Sequence, residues 1–127
     1  MSATLRDMGR MGILMLANGV VFGEQIVPSA FIEDIRATPD YAGKPSQNMQ
    51  PESGSPYYRS FWWGLGNDGK DIRAIGQRGQ YLHVAPEAGV VIAAFSSWPS
   101  VHGDGRTHGV TERDELVAAL IAKLRQP

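Results

Sequence analysis

Apolar residues recur at helical spacing at the start of the chain, where Leu5, Met8, Met11, Leu14 and Met15 follow Thr4. Asp7 stands three residues after Thr4, which is the spacing of a reciprocal cap, and Asn18-Gly19 supplies a stop. Gly9 and Gly12 each weaken such a helix by about 1 kcal/mol against alanine, and are tolerated where another element packs closely. Four consecutive apolar residues, Ile13 to Leu16, predict burial nearly all round. Residues 20–27 read as a small hairpin or an extended link. Pro28 then suits the first turn of a short helix through Arg36, with Phe31, Ile32 and Ile35 as its apolar face.

From residue 38 to 56 the pattern is lost in a polar stretch rich in Pro, Gly, Ser, Gln and Asn. A loop of that length in a compact domain is an ordered surface excursion or a functional, mobile segment. The second half reads as antiparallel sheet. Tyr57 to Leu65 is aromatic-rich, Asn67-Asp68-Gly69 carries turn chemistry, and Ile72 to Ile75 and Tyr81 to Ala85 flank a glycine-rich bend. Val90 to Ser96 reads as the most buried strand. After the loop Val101 to Gly109, Thr111 and Asp114 cap a last helix, whose stripe of Leu116, Val117, Leu120, Ile121 and Leu124 is expected to lie across the sheet. The expected fold class is α+β in a single domain, residues 1–127: N-terminal helices, a three-stranded antiparallel meander, and a covering C-terminal helix.

Composition narrows the function classes. A hydrophobic content of 43% and a charged content of 20% are ordinary for a globular domain. The net charge of −1, with scattered Lys and Arg, speaks against nucleic acid or an anionic membrane as partner. With no cysteine, disulfides, thiolate metal sites and cysteine nucleophiles are excluded. Arg6, Asp7 and Arg10 interrupt any secretory pattern, and the apolar run from Met11 to Ala17 is too short to span a bilayer, so a cytoplasmic location is expected. His83, His102 and His108 lack ligand spacing, and neither a metal nor a cofactor is expected. Ser, His and Asp all occur, but nothing in their spacing favours a catalytic triad.

One segment stands out: Gly76-Gln77-Arg78-Gly79-Gln80-Tyr81-Leu82-His83-Val84-Ala85-Pro86, running into Gly89-Val90-Val91-Ile92-Ala93-Ala94-Phe95. Taken alone, its Gly-x-x-Gly bend is a weak signal, since glycines also stand where one strand starts beside another. Its setting is more specific. Asp7-Met8-Gly9-Arg10-Met11-Gly12, the run to Asn18-Gly19, the link Gly23-Glu24-Gln25-Ile26-Val27-Pro28, then Tyr58, Trp62-Trp63, the bend and Ser96-Ser97 follow in a fixed order. Over roughly residues 4 to 125 this order resembles the C-terminal part of the penicillin-recognising serine hydrolases. These are the class C β-lactamase-like enzymes, and the similarity is greatest to the 6-aminohexanoate-oligomer hydrolases.

The resemblance implies roles for several residues. Ala74-Ile75-Gly76 stands where the family has a Lys-Thr-Gly or His-Thr-Gly strand, and Ala74, Gly76, Gly79 and Gln80 reproduce an Ala-x-Gly-x-x-Gly-Gln pattern of the nylon-oligomer branch. The Gln77 N–H, following Gly76, is then the backbone oxyanion donor, a contact worth about 3 kcal/mol in a transition state. Alanine at position 74 speaks against β-lactamase activity. Trp62, Trp63 and Arg78 are the expected substrate-side residues. For the tryptophans two readings stand: one in the core with the other bordering the cleft, or both in the core. Arg78 is either a carboxylate ligand or a solvated bend residue.

The family's nucleophile is missing from these residues. Ser-x-x-Lys would need a serine three positions before a lysine, but Lys44, Lys70 and Lys123 are preceded there by Tyr41, Asn67 and Leu120. No tyrosine begins a Tyr-x-Asn, and Gly-x-Ser-x-Gly is absent. Two function classes follow. One is the C-terminal portion of an amide or ester hydrolase, inactive by itself. The other is a non-catalytic oligomeric or interaction domain derived from that fold. Because a full family member adds N-terminal edge strands and a helical domain, an exposed sheet edge is expected, together with a homo-oligomer or a complementary N-terminal chain as partner. A small amide or ester is the expected substrate once the site is completed.

Overall fold

The computed structural model describes residues 3–40, 57–67, 70–98 and 110–124, with Val110 and Thr111 as backbone only. Most of the expected polar loop, the turn at Asp68-Gly69, and the loop from Val101 to Gly109 with His102 and His108 lie outside the described residues. The last helix starts at Val110, one residue before the expected Thr111 cap, and Asp114 accepts from Arg73 and Arg113 instead.

The first helix, α1 (Leu5–Leu16), begins where the pattern places it. The Thr4 side chain accepts from the Asp7 N–H while the Asp7 carboxylate accepts from the Thr4 N–H and hydroxyl, so two of the free donors at the helix start are satisfied. These bonds hold the Asp7 carboxyl below its ordinary pKa. Residues 20–27 form a hairpin, β1 (Val20–Val21) against β2 (Glu24–Gln25), and α2 (Ser29–Arg36) starts directly after Pro28. Its last residue, Arg36, donates to the Met15 carbonyl and ties α2 to α1, while burial lowers the pKa of its guanidinium.

The sheet has five strands rather than the expected three: β3 (Tyr57–Arg59), β4 (Trp62–Gly64), β5 (Ile72–Ile75), β6 (Tyr81–Ala85) and β7 (Val90–Ala94), antiparallel and in sequence order. The two additional strands come from the aromatic-rich stretch, which folds back on itself at Ser60-Phe61. Both turn residues have positive φ, 48° and 69°, without being glycine or asparagine, so no turn chemistry marked them.

Helices cover both faces of the sheet. Met15, Ile32, Ile35, Ile72 and Val84 form one core, with α1 and α2 on that side. Tyr81, Ala85, Val117 and Ile121 form the other, beneath α3 (Val110–Leu124). The period of two in β6 feeds both, since Leu82 and Val84 face α1 and α2 while Tyr81, His83 and Ala85 face α3.

Burial departs from expectation at four places. The most buried strand is β6, not the following one: β6 is flanked by β5 and β7, whereas β7 pairs only with β6 among the described residues. Ile13 is 57% exposed, so α1 buries a stripe rather than its whole circumference. Phe31 is exposed while Ile32 and Ile35 are buried, and in α3 only Val117 and Ile121 of the apolar stripe are covered. Among the described residues, only Gly12 of the two helical glycines meets a neighbour: a Cβ there would lie 2.3 Å from Val91 Cγ1, whereas none of their atoms comes within 4 Å at Gly9.

Candidate functional site

The bend between β5 and β6 is built by its own residues. Gly76 is extended (φ −107°, ψ 171°), and Gln77–Gly79 form one turn of 3-10 helix in which Arg78 (φ 56°) and Gly79 (φ 84°) are left-handed. The Gly76 N–H donates to the Gln80 carbonyl at 2.9 Å, and the Gln80 N–H donates to the Gln77 carbonyl at 3.3 Å. A Cβ at position 76 would lie 2.9 Å from Gln80 Cβ, and one at position 79 would lie 2.6 Å from the Trp98 indole. Glycine at 79 therefore answers two demands at once, backbone conformation and contact. Gln77 opens the turn, so its N–H has no acceptor within that turn, and its residue is exposed.

The bend is fastened to the chain after β7. The Trp98 N–H donates to the Arg78 carbonyl at 3.2 Å, Arg78 Nη1 donates to the Trp98 carbonyl at 3.3 Å, and Gln80 Nε2 donates to the Ser96 carbonyl at 2.6 Å. Gly76, Gln77 and Arg78 thus stand together, with the Arg78 guanidinium engaged by Trp98.

The tryptophan pair divides between the faces. Trp62 packs partly buried against the core beneath α1 and α2. Trp63 pairs with Arg73 across β5, and its ring lies 4.6 Å from that of Tyr58. As β4 runs back from Trp63 to Trp62, the register moves along β5 toward Ala74, so Trp62 is the tryptophan on the approach to Gly76.

A second constellation lies under α3. Tyr81 Oη is 3.0 Å from His83 Nδ1, and His83 Nε2 is 3.4 Å from Asp71 Oδ2. Beside them Arg73, whose side chain is 5% exposed, donates to Asp114 at 3.1 Å, and the second Asp114 oxygen accepts from Arg113 at 2.8 Å. The Arg113 guanidinium lies 4.1 Å from the centre of the Tyr81 ring. Burial raises the Tyr81 phenol pKa above its ordinary value. Between this floor and the apolar side of α3 lies an open cavity of about 490 Å³, lined by Leu65, Asp71, Tyr81, Val117 and Ile121 among others. Both His83 nitrogens are occupied by Tyr81 and Asp71, and among the described residues this histidine is not paired with a serine. No group of metal-binding side chains occurs among the described residues, nor is any helix there long and apolar enough to cross a membrane.

From the sequence, His83 reads only as a histidine without ligand spacing and Asp114 only as a helix cap, and no motif marks Asp71, Arg73, Trp98 or Arg113. Polar residues alternating at 71 and 73 and again at 81 and 83, with Arg73 opposite His83, were the available sign, because a period of two puts all four on one face.

No family model matches the chain. The chain is 32% identical over 98 residues to the 6-aminohexanoate-dimer hydrolase of Paenarthrobacter ureafaciens, a match taking in 77% of this chain and 25% of that protein. Among solved structures, a Bacillus anthracis protein assigned as a 6-aminohexanoate-dimer hydrolase superposes with a TM-score of 0.64 at 33% identity, over 98% of this chain and 30% of that one. The chain therefore spans between a quarter and a third of the length of these relatives. Sequence and fold agree with the resemblance drawn from the bend and its surroundings: the relatives are 6-aminohexanoate-dimer hydrolase homologues, consistent with a β-lactamase-like family member of which this chain spans the C-terminal part.

Proposed function

We propose that this chain is the oxyanion-side portion of a serine hydrolase acting on amide or ester bonds, and that the Gln77 N–H is the donor. The observation that carries the reading is the conformation of the bend: Gly76 extended, Gln77 opening the turn, and Gly79 left-handed, on the same residues that match the nylon-oligomer pattern. A donor fixed in place before the reaction acts on charge as it develops, which is the largest single source of such catalysis. Arg78 within the bend and Trp62 on the neighbouring strand are the candidate substrate contacts, with Trp63 on the opposite face. The substrate class supported by the names of the relatives is a 6-aminohexanoate dimer. A cytoplasmic setting fits the cysteine-free composition.

Without Ser-x-x-Lys the chain is inactive by itself in this reading, and a separate segment bearing that motif completes the centre. The test mixes the chain with the serine-bearing portion of a relative and follows 6-aminohexanoate dimer and p-nitrophenyl ester hydrolysis, together with fluorophosphonate labelling. Turnover from the mixture alone is the expected result. Turnover or stoichiometric labelling of the isolated chain would overturn it.

A second reading, an oligomeric or interaction domain without catalysis, is supported by exposed apolar residues on both helical layers: Leu5, Met11 and Ile13 on α1, and Leu116, Leu120 and Leu124 on α3. A monomer by light scattering at high micromolar concentration would sink that reading.

A further inference from the structure

We infer that Trp98 is a positioning residue for the bend, and that α3 reaches the proposed oxyanion donor through it. The inference rests on the hydrolase reading for its function but on separate contacts for its structure. Trp98 lies against Gly79, where even a methyl group would come within 2.6 Å of the indole. It exchanges two hydrogen bonds with Arg78, one through its N–H and one through its carbonyl. Two residues earlier, the Ser96 carbonyl takes the Gln80 side chain. Three bonds and a ring thus converge on Arg78, Gly79 and Gln80, the residues directly after Gln77.

The indole is itself supported from behind. The Arg113 guanidinium stands 5.7 Å from the Trp98 ring and 4.1 Å from that of Tyr81, and both its Nε and Nη2 donate to Asp114. Asp114 also holds the buried Arg73 of β5, the strand that leads into Gly76. The bend is therefore held from its two ends by one carboxylate, through Arg73 on β5 and through Arg113 and Trp98 on the far side. A turn containing two left-handed residues, one of them arginine, is otherwise prone to local opening. The clamp fixes the direction in which the Gln77 N–H is presented.

The test is amide hydrogen exchange on the chain by itself, which needs no catalysis. Gly76 and Gln80, whose N–H groups close the bend, are the reporters, and Leu82 and Val84 in β6 are the controls. Trp98→Ala is expected to accelerate exchange at the reporters about tenfold or more while leaving the controls unchanged. Trp98→Phe, which keeps a flat ring on Gly79, is expected to restore slow exchange. Should Trp98→Ala fail to fold, Arg113→Met, which removes the support behind the indole together with the contacts to Tyr81 and Asp114 but leaves Trp98 in place, is expected to speed the reporters selectively. Unchanged reporters, or reporters and controls accelerating together, would overturn the positioning role. In the reconstituted enzyme Trp98→Ala is expected to lower kcat with little change in KM. Fast reporters with an unaltered kcat would leave the clamp standing and count against Gln77 as the oxyanion donor.

Discussion

The two faces of the sheet are held by different physics. Beneath α1 and α2 the contact is one of shape. Gly12 admits Val91, and Gly64 admits the ring of Tyr57, which a Cβ would approach to 1.8 Å. The Tyr57 hydroxyl then reaches across to donate to the Arg36 carbonyl at 3.0 Å. Beneath α3 the floor is charged and polar, with Asp71, Arg73 and His83 all buried. Close-packed apolar surfaces fail when volume is added, whereas buried ionic networks fail when one partner is removed. The glycine bend belongs to neither layer alone, because it starts from a strand both layers share and is fastened by Trp98 toward α3.

Substitutions can break this contrast. The largest loss is expected for Gly64→Ala, since the clash is with a buried aromatic ring held by its own hydroxyl; about 3 kcal/mol or more should disappear from a urea-unfolding free energy. Arg73→Met comes next at about 2 kcal/mol, a value reduced from the fully buried case because Asp114 is partly exposed and keeps Arg113. Adding Asp114→Leu to Arg73→Met should return part of that loss in a double-mutant cycle, whereas no second change to Tyr57 short of removing its ring should rescue Gly64→Ala.

Two further experiments sharpen the contrast. Along α1, Gly12→Ala is expected to destabilise by about 1 kcal/mol because Val91 must give way, while Gly9→Ala, with space around it, should stabilise by about 0.5–1 kcal/mol through helix propensity. Thermal unfolding that moved in the same direction for both would refute the shape argument. The smallest effect is on the α3 side. Because burial raises the Tyr81 pKa, the folded chain keeps this proton when the unfolded chain begins to lose it at its ordinary value of 10.0. Its contribution is complete below that pH and is lost as the pH rises beyond it. Tyr81→Phe should flatten this part of the stability profile relative to the parent chain.

What could be read from the sequence was local. Thr4 and Asp7 announce their cap because both partners lie within one turn, and Gly76 and Gly79 mark the bend because their backbone and contacts leave no room for a side chain. The hairpin at Ser60-Phe61 was invisible because its left-handed residues carry side chains that ordinarily avoid that region. The α3 periodicity predicted a helix but not which leucines would stay uncovered, since exposure depends on what packs alongside. Trp98 gave no sign at all. Its importance arises from the distance to Gly79, nineteen positions earlier, and only folding sets that distance.

The order of the five strands also bears on how the molecule comes to exist. Each strand pairs with the one next to it in the chain, and the described links between β3 and β4, β5 and β6, and β6 and β7 are short. Such a meander closes small loops one after another, so the entropy lost before each new pairing is modest. The sheet can therefore zip from any of its hairpins as it leaves the ribosome, and the bend is shaped as β5 and β6 meet. Assembly of a catalytic centre around it would then be docking onto a preformed surface rather than mutual folding.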